Sequence, residues 1–506
     1  MGKVYLIGAG PGDPGLYTIK AKEIISIADA IVYDYLANEV FLEWIKDGCE
    51  VIYAGKKGGD HTLSQDEINE LLVKLGKKYD VVVRLKGGDP YIFGRGGEEA
   101  EFLVENGLEF EVVPGVSSAV AAPAYAGIPL THRDFSSSVT FVTGHEASTK
   151  KSSVIEWDKL ARSASTLVFF MGVKNLPQIT KNLISAGLSK DTKAALVRWG
   201  TTCRQKSVVS TLENISQVAK KENITPPALL VVGDVVSLKD KLSWFEKKPL
   251  LGKNIVITRA RAQASDLLNL LREYGACCIQ LPTIEIKELS DYSHLYSEFN
   301  KLHTYDFIIF TSVNGVDLFF DKLFKNNMDV RAIGKSKIVA IGPATARKLK
   351  NFGIIPDIVP EKFIAESIVE KLKQIGVSGK NILIPRAKQA RDVLIKELEK
   401  SHAKVVVVPV YETTTGDGDV SFVKEKIKRD EIDFITFTSS STVKNFFKLI
   451  PPQFVSKYGH NIKFACIGPI TAKTLKEYGF NTDIMPDSYT IKDLVLEILK
   501  YVRENS

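Results

Sequence analysis

The chain has 506 residues, 44% of them hydrophobic and 25% charged, with a formal net charge of +7. This is ordinary globular composition, long enough for roughly two to five domains. No apolar run approaches the ~20 residues that span a bilayer, since the best stretch, 119–130, is broken by Pro123 and Pro129. The mild positive charge is interspersed with acidic residues and comes with no nucleic-acid-binding motif; it suits a small anionic substrate.

The sequence opens MGKVYLIGAG, passing straight into a strand-like segment without a basic leader or cleavage site, so a cytoplasmic protein is expected. The five cysteines, at 49, 203, 277, 278 and 466, form no C-x-x-C pair. They read as idle thiols in a reducing compartment, with no metal site.

Strand-like runs alternate with amphipathic segments from the start: KVYLIGAG, AIVYD, VVVRLKGGD, FEVVPG, VTFVTG and TLVFFMG. The pattern predicts an α/β fold with mainly parallel sheets, with glycines clustered after strands, where such sheets place ligands. The first glycine loop, Gly8 to Gly15, departs from the dinucleotide fingerprint, because Asp13 stands at the sixth position and two prolines interrupt the helix start. That argues against a nicotinamide-dependent dehydrogenase. The second loop runs from Arg84 through Gly87, Gly88 and Asp89 to Arg95, Gly96 and Gly97. Its glycines permit close backbone approach, Asp89 offers an acceptor and Arg95 a planar fork for carboxylates. Glu98 and Glu99 read as the acidic first turn of a helix. A third segment carries Ser117 and Ser118, then His132 and Arg133.

A seam is expected at Leu242–Gly252, with a linker at 246–252. Beyond it the chain is duplicated at an offset of about 127 residues. KNIVITRARAQASDLLNLL is echoed by KNILIPRAKQARDVLIKEL, FIIFTSVNGVDLFF by FITFTSSSTVKNFF, and VAIGPATARKLKNFG by ACIGPITAKTLKEYG. Two similar α/β domains follow from this, with extended stretches at 278–286 and 405–414 as candidate connectors.

The motifs GAGPGDPGL, VYDYL, GKKGG, VVRLKGGDPYIFGRGGEE, VVPGVSSA, GIPLTHRD, VTGH, FFMGV and DKLSWF occur together in order across residues 1–245. This half resembles the uroporphyrinogen III C-methyltransferases of the tetrapyrrole methylase family. The resemblance implies two α/β subdomains, about 1–113 and 114–245, with S-adenosyl-L-methionine in the trough between them. Matching positions assign the cofactor to Pro11, Gly87, Gly88, Asp89, Ile92, Ser117, Ser118, Met171 and Gly200. They make Asp34 the proton acceptor and Lys56 the proton donor. Asp34 also reads as a post-strand cap, and Lys56 as an anchor for substrate carboxylates. Arg95, His132 and Arg133 are candidates for the propionate and acetate groups. The chain departs from the family at Ser117-Ser118, where Thr-Ala is usual, and at Trp199-Gly200, where Asn-Gly is usual; Trp199 could pack on the adenine or fill the core. The family is typically dimeric, which implies a homodimer through this half.

Residues 253–506 resemble the uroporphyrinogen III synthases, on Thr311-Ser312-Val313-Asn314-Gly315, Ile341-Gly342-Pro343-Ala344-Thr345-Ala346, Pro385-Arg386, Val410-Tyr411-Glu412-Thr413, Thr438-Ser439-Ser440-Ser441 and Ile467-Gly468-Pro469. The family fold implies one domain of 253–282 plus 412–506, a second of about 288–409, and a two-stranded ladder between them. Arg259, Thr311, Ser312, Thr345, Arg386, Thr438 and Ser439 become substrate-binding candidates, since hydroxyls and amides at helix N-termini favour anions; N-capping alone is the alternative. Tyr411 is a candidate donor to the leaving water, or a packing residue of the connector. The two resemblances imply an enzyme that closes hydroxymethylbilane to uroporphyrinogen III with ring D inverted and methylates it at C2 and C7 to precorrin-2. Its expected partners are small tetrapyrroles, with no metal, nucleic acid or membrane.

Overall fold

The computed structural model describes residues 2–55, 63–144, 155–259, 261–360, 365–389, 392–416 and 418–505. The chain forms two compact units. One comprises Met1–Lys253, Leu271–Cys277 and Val502–Ser506, the other Asn254–Leu270 and Cys278–Tyr501.

The first unit holds two five-stranded sheets. Strands β1 (Lys3–Gly8), β2 (Ala30–Tyr33), β3 (Glu50–Tyr53), β4 (Val81–Lys86) and β5 (Glu109–Val113) are all parallel, in the order β3-β2-β4-β1-β5. Alternate residues feed two cores. Val4, Leu6, Val32 and Val82 enter one with the helix Gln65–Lys78, while Ile7, Ile31, Val83 and Leu85 enter the other with the helix Ile19–Ile27. Burial of both faces is why β2 and the Val81–Val83 run of β4 are apolar rather than alternating. The helix Gln65–Lys78 begins at a capping box, Ser64 with Glu67, which satisfies two otherwise orphaned amides.

Strands β6 (Val139–Thr143), β7 (Thr166–Phe170), β8 (Lys193–Arg198), β9 (Lys206–Thr211) and β10 (Ala228–Val232) form the second sheet, ordered β6-β7-β10-β8-β9. Here only β6 and β7 are parallel; β10 runs antiparallel to β7 and β8, and β8 to β9. The parallel reading therefore fails for this sheet. The short β8–β9 connection allows antiparallel pairing without a crossover helix, which apolar runs alone do not reveal.

In the C-terminal half, β11 (Asn254–Ile257) and β12 (Cys277–Gln280) share a sheet with β18 (Phe434–Phe437) and β19 (Lys463–Cys466), ordered β12-β11-β18-β19. The intervening chain builds β13 (Ile284–Lys287), β14 (Phe307–Phe310), β15 (Lys337–Ala340), β16 (Asn381–Ala387) and β17 (Lys404–Thr415), ordered β13-β17-β16-β14-β15. Strand β17 is twelve residues long; it runs parallel to β16 and pairs antiparallel with β13 from Glu412 to Thr415. The duplication recurs in atomic detail. Asp357 accepts from the amide of Ile338 at 2.7 Å, as Asp483 does from Phe464 at 2.8 Å. Asp306 accepts from Asn381 at 2.9 Å, as Asp433 does from Asn254 at 2.8 Å.

Two sequence expectations change. The segment read as a linker is packed into the first unit: Glu246 accepts from Gln205, Ser207 and Lys239 at 2.8–3.0 Å, and Leu250 has no exposed surface. Cys203 and Cys277, read as idle thiols, form a disulfide. They lie 74 residues apart in sequence, a separation that carries no spacing signal, and meet only because the chain folds back. Among the described residues no helix is long and apolar enough to cross a membrane, and no group of three His, Cys, Asp or Glu converges to hold a metal ion.

Candidate functional site

The glycine loops gather at the carboxyl ends of β1, β4 and β5, the edge at which open α/β sheets bind ligands. Gly8, Gly88 and Gly115 meet there backbone to backbone. A Cβ on Gly8 would stand 2.5 Å from the N and Cα of Gly115 and 2.6 Å from the carbonyl oxygen of Gly88. Gly10 and Gly88 exchange two hydrogen bonds, at 2.7 and 3.2 Å. Gly88 has φ +69°, a conformation L side chains rarely adopt, and its missing Cβ would meet nothing nearer than the Ser118 amide nitrogen at 3.8 Å. A Cβ there would be in ordinary contact with the third loop, so it is the positive φ, and not crowding, that calls for glycine. Asp89 accepts from Tyr91 N at 2.8 Å and from Gly115 N at 3.1 Å, so its carboxylate ties the second loop to the third. Ser117 caps the helix Ser118–Tyr125.

Amides of the first loop are taken up by other parts of the protein and by the loop itself. Gly10 N bonds Gly88, Asp13 N bonds Thr201 Oγ1 at 3.0 Å, and Gly15 N bonds Asp13 Oδ1 at 2.8 Å. Tyr125 donates to Asp13 Oδ2 at 2.7 Å; burial, and then that carboxylate, raise the phenol's pKa, so it stays protonated. A loop so engaged makes no pyrophosphate cradle. It docks instead on Trp199-Gly200-Thr201, where Trp199 and Thr201 have positive φ. Trp199 lies edge-on to Tyr35, with centroids 6.0 Å apart, and under the Arg204 guanidinium at 4.1 Å.

Asp34 follows β2 at the same sheet edge. Its Oδ1 accepts from Arg84 Nη2 at 2.7 Å, and its side chain is 29% exposed. Behind it, Arg84, Lys86 and Glu99 form a buried charged cluster in which Glu99 Oε1 accepts from Arg84 Nε at 3.1 Å and Lys86 Nζ at 2.6 Å. Burial, reinforced by repulsion from Arg84 and opposed by Glu99, lowers the Lys86 pKa. In the C-terminal half, Ser312 caps the helix Val313–Lys325 and its Oγ lies 3.1 Å from the Tyr411 hydroxyl. Burial raises the Tyr411 pKa, so it remains a donor at neutral pH.

Comparison with known proteins gives the family. Residues 3–216 match Tetrapyrrole (Corrin/Porphyrin) Methylases, and residues 265–496 match Uroporphyrinogen-III synthase HemD. A porphyrin biosynthesis protein HemD from Ruminiclostridium josui is 39% identical over 502 residues, covering 99% of this chain and 98% of its own. The chain belongs to both families, one in each half. A uroporphyrinogen-III C-methyltransferase of Bacillus subtilis is 53% identical over 250 residues, 49% of this chain and 96% of that protein. An S-adenosyl-L-methionine-dependent uroporphyrinogen III methyltransferase of Methanosarcina barkeri is 52% identical over 241 residues, 48% of this chain and 94% of that one. The polypeptide thus joins a C-methyltransferase to a uroporphyrinogen III synthase.

In the methylase half, Pro11, Gly87, Gly88, Asp89, Ser117, Ser118 and Gly200 all belong to the loops just described. Ile92 is half-buried, and Met171 lies at positive φ and is 52% exposed. Lys56 lies outside the described residues. Arg95 is paired with Glu98 through Nε at 3.0 Å and Nη2 at 2.6 Å, and its side chain is exposed. His132 turns inward on its own loop, its Nδ1 accepting from the Asp134 amide, while Arg133 is exposed.

In the synthase half the structure brings Ser312 and Tyr411 together. Arg259 is half-buried, and its pKa is lowered by burial. Arg386 is buried and donates to Asp392 at 3.1 Å. Thr345 is only 3% exposed, in the first turn of the helix Pro343–Asn351. Ser439 forms a capping box with Thr442, and Thr438, just before it, is half-buried.

Sequence reasoning missed Arg84 and Lys86 and took Glu99 only as a helix-start acid. A signal was present: two cations two residues apart on one face of an otherwise apolar strand need a buried anion.

Proposed function

We propose that the chain closes hydroxymethylbilane to uroporphyrinogen III with inversion of ring D, then methylates that product at C2 and C7 to give precorrin-2. The observation that carries the reading is the union of both families in one chain, with a full-length relative of the same layout. The product of one reaction is the substrate of the other.

S-Adenosyl-L-methionine, when bound, supplies an electrophilic methyl group to a nucleophilic pyrrole carbon. The loops at Gly87-Gly88, Ser117-Ser118 and Gly200 would hold it, since the first two lie at the carboxyl-end edge of the first sheet and the first glycine loop packs beside Gly200. Because the macrocycle is itself the nucleophile, the protein's main task is alignment. Asp34, partly exposed and held by Arg84, would take the proton released from the methylated ring. In the second half, Tyr411 would donate to the departing hydroxyl, with Ser312 orienting its phenol. Ring closure then requires folding the linear substrate faster than it closes unaided. The same reading places the chain in the cytoplasm as a homodimer through its methyltransferase half, acting on small tetrapyrroles.

Purified protein given S-adenosylmethionine and hydroxymethylbilane should form precorrin-2. Accumulation of uroporphyrinogen I would refute the synthase assignment. Accumulation of unmethylated uroporphyrinogen III would refute the methyltransferase assignment.

A further inference from the structure

Glu99, in the helix Gly96–Glu105, has no exposed surface, yet its Oε1 accepts from three donors on two other elements. These are Arg84 Nε at 3.1 Å, Lys86 Nζ at 2.6 Å and Gln65 Nε2 at 3.2 Å. Its other oxygen has no hydrogen-bond partner among the described residues. Arg84 is 2% exposed, and all three guanidinium nitrogens are engaged. Nε is on Glu99, Nη1 on the carbonyls of Val32 and Leu85 at 3.4 Å each, and Nη2 on Asp34 at 2.7 Å. A planar guanidinium held at every nitrogen has one orientation left. Asp34, Arg84, Glu99 and Lys86 carry charges that sum to zero, and only Asp34 reaches solvent appreciably.

Burying three charged side chains behind a partly exposed fourth gives no stability that apolar side chains of the same volume would not match, so stability does not account for the cluster. What it supplies is direction: a rigid fork running from the helix Gly96–Glu105 through β4 to the end of β2. We propose that Glu99, together with Lys86, is a positioning residue for methyl transfer, locking the Arg84 plane so that Asp34 meets the bound macrocycle in a single orientation. The proposal rests on reading Asp34 as the proton acceptor. The Arg84 bond engages Asp34 Oδ1, which leaves Oδ2 to take the proton.

The test uses the full chain. Glu99→Gln keeps the shape and removes the charge. Methylation kcat should fall about tenfold, while affinity for S-adenosylhomocysteine, measured by calorimetry, and the ring-closure rate stay unchanged. The double variant Glu99→Met, Lys86→Met removes both charges together, leaves no unpaired ion in the core, and should lose kcat to a similar extent. In an Asp34→Asn background neither change should slow methylation further, because both act through Asp34.

If Asp34→Asn methylates at the wild-type rate, the proton-acceptor reading falls and this proposal with it. If Asp34→Asn is slow but the double variant binds S-adenosylhomocysteine normally and keeps wild-type kcat, only the positioning role is overturned. Losses that are additive with Asp34→Asn, or that appear in S-adenosylhomocysteine affinity rather than kcat, would mark Glu99 as merely structural and overturn it equally. Should Glu99→Gln fail to fold, the double variant decides alone.

Discussion

Replacing Gly8 by Ala inserts one methyl group at the point where β1, β4 and β5 converge. Its Cβ would lie 2.5 Å from two backbone atoms of Gly115 and 2.6 Å from the carbonyl oxygen of Gly88. Carbon contacts settle at about 3.5–4.0 Å, so the strand ends must part by roughly 1 Å. None of the three atoms belongs to a flexible side chain that could swing away. The cost should therefore sit at the top of the range for overpacked cores, about 3 kcal/mol. For a unit of this size that lowers the melting temperature by roughly 6–12 °C. The displaced loops carry Gly88 and Ser117-Ser118, so S-adenosylhomocysteine affinity should fall at least about tenfold, equivalent to ~1.4 kcal/mol. Calorimetric titration and a thermal melt of the full chain read both quantities, with ring-closure activity as an internal control. Gly97→Ala is the matched comparison, since a Cβ there meets nothing within 4 Å and lies in the first turn of a helix. It should be neutral, or stabilising by up to about 1 kcal/mol. If Gly8→Ala melts and binds like the wild type, the close backbone packing at the sheet edge is wrong.

Asp34→Asn should slow methylation by about 100-fold while leaving S-adenosylhomocysteine affinity and ring closure intact; equal loss of both activities would contradict a role confined to methyl transfer. Tyr411→Phe should slow ring closure about tenfold or more and raise the share of uroporphyrinogen I, seen by chromatography of the oxidised products, because the phenol bonded to Ser312 no longer donates. An unchanged product ratio would return Tyr411 to a packing role. The Lys380 ammonium and the Asn381 amide hold the Asp306 carboxyl below its ordinary pKa. Its contribution to stability is therefore complete above about pH 4 and lost as pH falls through the lowered folded value. Denaturant melts of wild type and Asp306→Asn should differ at about pH 7 and converge as the pH falls through the lowered folded value; a gap that widens on acidification would reverse the sign.

Much of the site is legible in the order of the residues alone. Glycines after strands in KVYLIGAG, VVVRLKGGD and FEVVPG mark the ligand-binding edge, because parallel strands buried on both faces put their exposed chemistry at their carboxyl ends. The duplication is legible at an offset of about 127 residues, since each copy repeats its own strand, cap and helix. Local caps such as Ser312 and Ser439 are also within reach, their partners lying three residues away.

Contacts without a sequence spacing are not legible. Asp13 depends on Tyr125 and Thr201, more than a hundred residues distant. The cysteines at 203 and 277, the antiparallel second sheet, and the burial of Thr345 arise the same way. Glu99 is the sharpest case. As a residue type at a helix start it is an ordinary dipole partner, and only folding the helix Gly96–Glu105 against β4 makes it the buried anion behind Arg84 and Asp34. The sequence by itself determined the kind of chain this is: which segments become strands, where the backbone must turn tightly, and which two chemistries share a polypeptide. Those properties are set by neighbours a few residues apart. The tertiary structure decided which charges face each other in the interior, because that depends on distances the chain acquires only on folding.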